Sequence, residues 1–138
     1  MQMTSLSLVL TAGMIVSACV MENGPSAATS GASDFAELCA PCHGTTGQGN
    51  GPMAADLAKK PADLTGLAAR SGGVFPMARV MSKIWGYSGG AAPASMMPEF
   101  GPLLDSRKVL VDVGDGIQTP TPIRLVELAD YLKTLQAK

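Results

Sequence analysis

At 138 residues the chain has room for one domain. Its 10 Lys and Arg nearly balance 11 Asp and Glu, a formal net charge of −1, which gives no electrostatic case for nucleic-acid binding. Aromatic residues make up only 4%, a thin supply for a core of this size, and small chains short of large apolar groups often close around an added element.

Residues 6–16 are almost continuously apolar and run into Val16-Ser17-Ala18-Cys19. The stretch is short for a bilayer span and suits the apolar region of a signal peptide. Small residues just before a cysteine resemble the lipobox of bacterial lipoproteins, which implies cleavage after residue 18 and acylation of Cys19. The first five residues depart from that pattern in holding no Lys or Arg, and an unlipidated signal peptide cleaved nearby is the alternative. Several acyl chains would anchor the chain stably, since each buried methylene contributes about 0.8 kcal/mol. Residues 19–32, rich in Gly, Pro, Ser, Ala and Thr from 22 onward, then predict a flexible tether, with the folded domain at 33–138.

Ser33 is a good N-cap, and Asp34 and Glu37 suit the positive end of a helix running into Cys39. Cys39-Ala40-Pro41-Cys42-His43 has the C-x-x-C-H spacing of c-type haem attachment. Two thiols that add to the vinyl groups of one porphyrin must leave the backbone on the same side. Cys39 and Cys42 are i, i+3 neighbours on a helical turn, and His43 follows at i+4. The imidazole therefore comes under the iron by the same turn. A lone histidine is more often a satisfied core or surface group, but His43, the only one in the chain, directly follows a C-x-x-C. Cys19 for lipid and Cys39 with Cys42 for haem account for all three cysteines, leaving no stray thiol in an exported chain.

Gly44 can end this helix. The glycines of residues 47–52 (Gly-Gln-Gly-Asn-Gly-Pro) permit close backbone approach, here expected toward the porphyrin face. No Lys-Ser/Thr follows them, so they are not a phosphate cradle. Pro76 opens a second helix, where Met77, Val80, Met81, Ile84 and Trp85 form an apolar stripe. Residues 86–95 read as a small-residue loop leading to Met96-Met97-Pro98. Val109 to Val113, then Gly114-Asp115-Gly116 and Ile117, read as a short hairpin. Its role is a structural excrescence or a docking edge for a partner. The last helix is expected from Thr121 as N-cap with Pro122 at its first position. It carries Leu125, Leu128, Ala129, Leu132 and Leu135 inward and Arg124, Glu127, Asp130 and Lys133 on its wet side.

With no second histidine, a methionine thioether is the natural sixth ligand for a low-spin iron. Met77 and Met81 read as core, Met21 lies in the tether, and Met53 is too near the attachment helix, which leaves Met96 and Met97. The pattern Gly31-x3-Phe35-x3-Cys39-x2-Cys42-His43, the later Met97-Pro98, and a terminal helix with Leu128 and Tyr131 closely resemble class I cytochrome c over residues 33–136. The resemblance implies an all-α fold, three to five helices around one covalent haem c, with the hairpin as an insertion before the last helix. It implies Met97, which directly precedes a proline, as the ligand, with Met96 the fallback. It further implies that Gly31 and Phe35 pack on Leu128 and Tyr131, and that a proline carbonyl, best matched by Pro61, accepts the second ring proton of His43. Trp85, Tyr87, Arg79 and Arg70 are available as propionate donors, although the simpler reading of Arg79 is a solvated helix face.

The function implied is a single-electron carrier, not an enzyme, working at the periplasmic side of a bacterial membrane between a membrane donor and an oxidase or reductase. A thioredoxin-like thiol oxidoreductase using Cys39 and Cys42 is the first alternative, but it needs a hydrophobic strand before the motif where residues 33–38 read as helix. A haem enzyme or gas sensor with an open sixth position is the second, and the chain offers no distal histidine for acid–base work. A zinc site fits poorly, because three donors on one turn cannot surround an ion tetrahedrally.

Overall fold

A computed structural model describes residues 27–87 and 97–137. Cys19, Met21, Met96 and most of the expected 86–95 loop lie outside the described residues. The elements in order are α1 (Ala27–Asp34), a π-helical turn (Phe35–Cys39), α2 (Ala40–His43), α3 (Met77–Trp85), α4 (Gly101–Leu104), β1 (Lys108–Asp112), β2 (Gln118–Pro122) and α5 (Ile123–Thr134), with short 3-10 turns at Pro52–Asp56 and Ala69–Ser71. The fold is therefore helices plus a two-stranded antiparallel sheet. The purely α class expected from sequence is too narrow.

Two boundaries differ from the sequence reading, each because a tertiary contact overrides a local signal. The first helix begins at Ala27, within the stretch expected as tether, and Ser33 sits inside it. Its anchor is the crossing with α5: a Cβ on Gly31 would lie 2.6 Å from the Glu127 carbonyl carbon and 3.1 Å from the Leu128 nitrogen. Only a glycine lets the two backbones approach this closely. The last helix begins at Ile123, and Thr121 and Pro122 instead close β2 opposite Val109 and Lys108. The Thr121 hydroxyl donates to the Thr119 carbonyl (3.0 Å), and Pro122 takes the N-cap position of the helix. The hairpin itself forms as read, with Asp112 Oδ1 accepting from the backbone N–H of Gly114, Asp115 and Gly116 (2.8, 3.1 and 3.0 Å) to hold the turn.

The core lies between α1, the π turn, α3, α4 and α5 and includes Phe35, Val80, Met81, Ile84, Leu104, Leu125, Leu128, Ala129 and Leu132. Phe35 and Leu128 are fully buried. Phe35 also meets Tyr131, with ring centroids 5.3 Å apart and planes tilted by 50°, a geometry aromatic pairs favour. The expected pairing of Gly31 and Phe35 with Leu128 and Tyr131 is thus present. Arg124 is not the solvated residue its place on the helix wheel suggests. Its guanidinium forms an ion pair with buried Asp34 through Nε (3.1 Å) and a terminal nitrogen, and donates to the Leu103 carbonyl (2.7 Å). One side chain on α5 thereby ties α1 to α4.

Candidate functional site

The Cys-x-x-Cys-His turn is built on a break in helical register. The Ala40 N–H donates to the Phe35 carbonyl, five residues back, which makes Phe35–Cys39 a π turn, a feature common near functional sites. Pro41 supplies the reason. It has no N–H for the carbonyl of Glu37, four residues earlier, and its ring crowds that carbonyl, so the helix widens upstream of it. The helix then resumes for Ala40–His43 and ends at Gly44, whose φ of 80° belongs to the left-handed region. Cys39 and His43 are buried and Cys42 is half-buried. Both cysteines are free of disulfide.

A loop folds back and locks this turn. Gly49 N–H donates to the His43 carbonyl (2.7 Å), Gly51 N–H to the Cys42 carbonyl (3.1 Å), and Leu64 N–H to the Gly47 carbonyl (2.7 Å). A Cβ on Gly51 would meet the Ala40 carbonyl oxygen at 2.5 Å and the Cys42 carbonyl carbon at 2.7 Å. Residues 47–52 were expected to lie against a porphyrin face. In the structure Gly49 and Gly51 fit against the protein's own backbone, and Gly47 against the side chains of Leu64, Leu135 and Phe35.

The acceptor for His43 is one residue on from the expected Pro61. His43 Nδ1 lies 2.9 Å from the Ala62 carbonyl, while the Pro61 carbonyl packs against Gly49. A carbonyl only accepts, so Nδ1 carries a proton, and in the neutral ring Nε2 then keeps its lone pair. The strap bearing Ala62 is itself pinned. Thr65 donates through N–H (2.8 Å) and hydroxyl (2.7 Å) to Asp63 Oδ1, bonds that hold the Asp63 carboxyl below its usual range. Arg70 donates to the Asp63 carbonyl (2.5 Å). Gln136 donates to the carbonyls of Leu64 (2.9 Å) and Leu132 (2.8 Å) and accepts from Ala68 N–H (2.9 Å). Asp63-x-Thr65 is a legible side-chain turn, but nothing in the sequence marks Gln136 as its distant support.

Electrostatics separate the setting of Cys39 from a reactive one. Burial, then the charges of Asp34 and Cys42, push the Cys39 thiol up to about 12. A nucleophilic cysteine needs the opposite shift. Among the described residues no group of three or more His, Cys, Asp or Glu side chains could hold a metal ion by itself.

The remaining expected residues fall into two sets. Met97 is half-buried and packs on the core; the segment after it is tied to the end of α3 by Phe100 N–H donating to the Ile84 carbonyl (2.9 Å). Met81 is core and Met77 packs on it, as read; Met53 is exposed. Trp85 packs over Gly101, where a Cβ would sit 3.0 Å from its ring. It lines a groove of about 690 Å³ between α3, α4 and the hairpin, away from His43. Tyr87 is exposed, and Arg79 is engaged with the Ser71 hydroxyl (2.6 Å). Trp85 and Tyr87 line the same groove, while Arg70 and Arg79 bond to Asp63 and Ser71.

No family model, curated protein or solved structure matches this chain.

The donor chemistry fits a covalently held haem. One turn offers two thiols three residues apart and a buried imidazole whose tautomer leaves Nε2 available. The backbone around them is immobilised from both flanks.

Proposed function

We propose that this protein is a monohaem c-type cytochrome of class I, an electron carrier with haem attached through Cys39 and Cys42 and iron ligated by His43 and Met97. The observation that carries this reading is His43: a buried ring with Nδ1 committed to the Ala62 carbonyl, following a C-x-x-C by one residue. Haem when bound supplies a one-electron couple, and methionine ligation raises its potential. The chain's own residues do the rest. The Ala62 carbonyl orients the imidazole. The glycine loop at 47–51 stops the attachment turn from moving. The crossing of α1 on α5 through Gly31, Phe35, Leu128 and Tyr131 keeps water from that side. The apolar stripe of α3 and the half-buried Met97 would supply soft, dry surroundings for the group.

If His43 and Met97 both bind the iron, no position would be left for substrate, as suits a carrier and not an enzyme or sensor. The raised Cys39 thiol weighs against the thioredoxin-like alternative. The lipobox-like run implies a lipid anchor on Cys19 and residence at the periplasmic side of a bacterial membrane. There the partners are a membrane donor and an oxidase or reductase, met through small, short-lived interfaces.

The test is an optical spectrum of dithionite-reduced protein from a host competent in cytochrome maturation, with and without pyridine, together with its intact mass. One covalent haem per chain is expected. Bare polypeptide of the same host would overturn the reading.

A further inference from the structure

The hairpin has one blocked edge and one open edge. In β2, Pro120 and Pro122 stand opposite Leu110 and Lys108 and cannot donate to them. Ile123 N–H donates to the Arg107 carbonyl (2.9 Å). Together these set the phase of the ladder. Arg107, Val109 and Val111 point their backbone groups at β2, and Lys108, Leu110 and Asp112 point theirs away from it. Among the described residues no hydrogen bond takes up these outward groups of Leu110. The side chains of Lys108, Leu110 and Asp112 share one exposed face, with Leu110 66% exposed. An open edge carrying Val, Leu and Val is a template for another strand unless something guards it.

We propose that this edge pairs with the same edge of a second copy, antiparallel about Leu110, to give a two-fold dimer with a four-stranded sheet. The occupant follows from the charge order. Lys108 and Asp112 lie two residues on either side of Leu110, so antiparallel self-pairing sets Lys108 against Asp112 of the second copy twice and Leu110 against Leu110. Parallel pairing would set like charge against like. The backbone N–H and C=O of each Leu110 exchange bonds with those of the other, as a directly opposed pair requires. Asp112 remains an anion: the backbone N–H groups of Gly114, Asp115 and Gly116 at its Oδ1 hold its carboxyl below the usual range. A two-fold contact of this kind closes on itself and does not propagate. Five residues span only about 17 Å, so the association belongs to the weak, concentration-dependent class. The proposal does not rest on the haem assignment.

Sedimentation equilibrium of the full chain from about 10 μM to about 1 mM covers the range where small interfaces associate, and the weight-average mass is expected to climb toward twice the monomer. Leu110→Glu changes an exposed side chain outside the β1–β2 bonds. It is expected to keep the wild-type far-UV spectrum and raise the dissociation constant about tenfold or more by opposing two like charges. Lys108→Glu is expected to act likewise, and mixing it with Asp112→Lys restores complementary pairs and a heterodimer. Should Asp112→Lys lose the turn, Leu110→Glu and Lys108→Glu still decide. A wild-type chain that stays monomeric throughout, or a Leu110→Glu variant that associates as wild type does, overturns the proposal.

Discussion

Replacing Gly31 by alanine tests the helix crossing on which the attachment turn rests. The new methyl would lie 2.6 Å from the Glu127 carbonyl carbon and 3.1 Å from the Leu128 nitrogen, against about 3.5–4.0 Å for carbon atoms at ordinary separation. Both obstacles are backbone, so no rotamer change relieves the clash. The helices must part by roughly 1 Å, loosening Phe35 from Tyr131 and Leu128. Overpacking of this kind costs about 1–3 kcal/mol and occasionally more, with the upper end expected against rigid backbone. Alanine returns about 1 kcal/mol through helix propensity. The net loss is about 2 kcal/mol, which lowers Tm by roughly 8–16 °C in a domain of this size. Thermal unfolding followed at 222 nm reads it directly. A Tm unchanged or raised would mean that propensity wins and that α1 does not touch α5 at this point.

Arg124→Met strands the buried Asp34 carboxylate and frees the Leu103 carbonyl; because the arginine side chain is 38% exposed, the loss expected in urea titration is about 2 kcal/mol, below the 3–5 kcal/mol of a fully buried pair. Where Cys39 carries a free thiol in the folded chain, iodoacetamide labels it at pH 8 far more slowly than after unfolding, since its pKa is raised from 9.0 to about 12 by burial first and then by Asp34 and Cys42. The folded state favours the neutral thiol, so this contribution to stability is fully present below about pH 9 and is lost as pH climbs toward 12; labelling equally fast in both states would refute the burial. Met97→Ala should yield a five-coordinate or water-ligated iron of lower potential, whereas an unchanged low-spin spectrum would transfer the role to Met96. Cys19→Ser should move the protein from the membrane to the soluble fraction, and retention without Cys19 would exclude a lipid anchor there.

Much of the site was legible because its chemistry is local. Two thiols and an imidazole within five consecutive residues share one helical turn whatever the rest of the chain does. The Gly114-Asp115-Gly116 turn between alternating strands is likewise short-range, and so is the apolar stripe of α3. The resemblance to class I cytochromes also matched Gly31 and Phe35 to Leu128 and Tyr131 correctly, since close packing at a helix crossing constrains residue size at both ends.

What the tertiary structure alone decided are the contacts between distant residues. His43 meets Ala62 and not Pro61 across 19 positions, a choice between adjacent carbonyls set by how Gly49 seats the strap. Arg124 meets Asp34 across 90 positions, and its helix-wheel position suggested only water. Short-range geometry is dictated by covalent spacing and backbone sterics, which the order of residues states outright. The partner of a long polar side chain depends on which backbone arrives beside it once the core has closed, and no local pattern encodes that arrival.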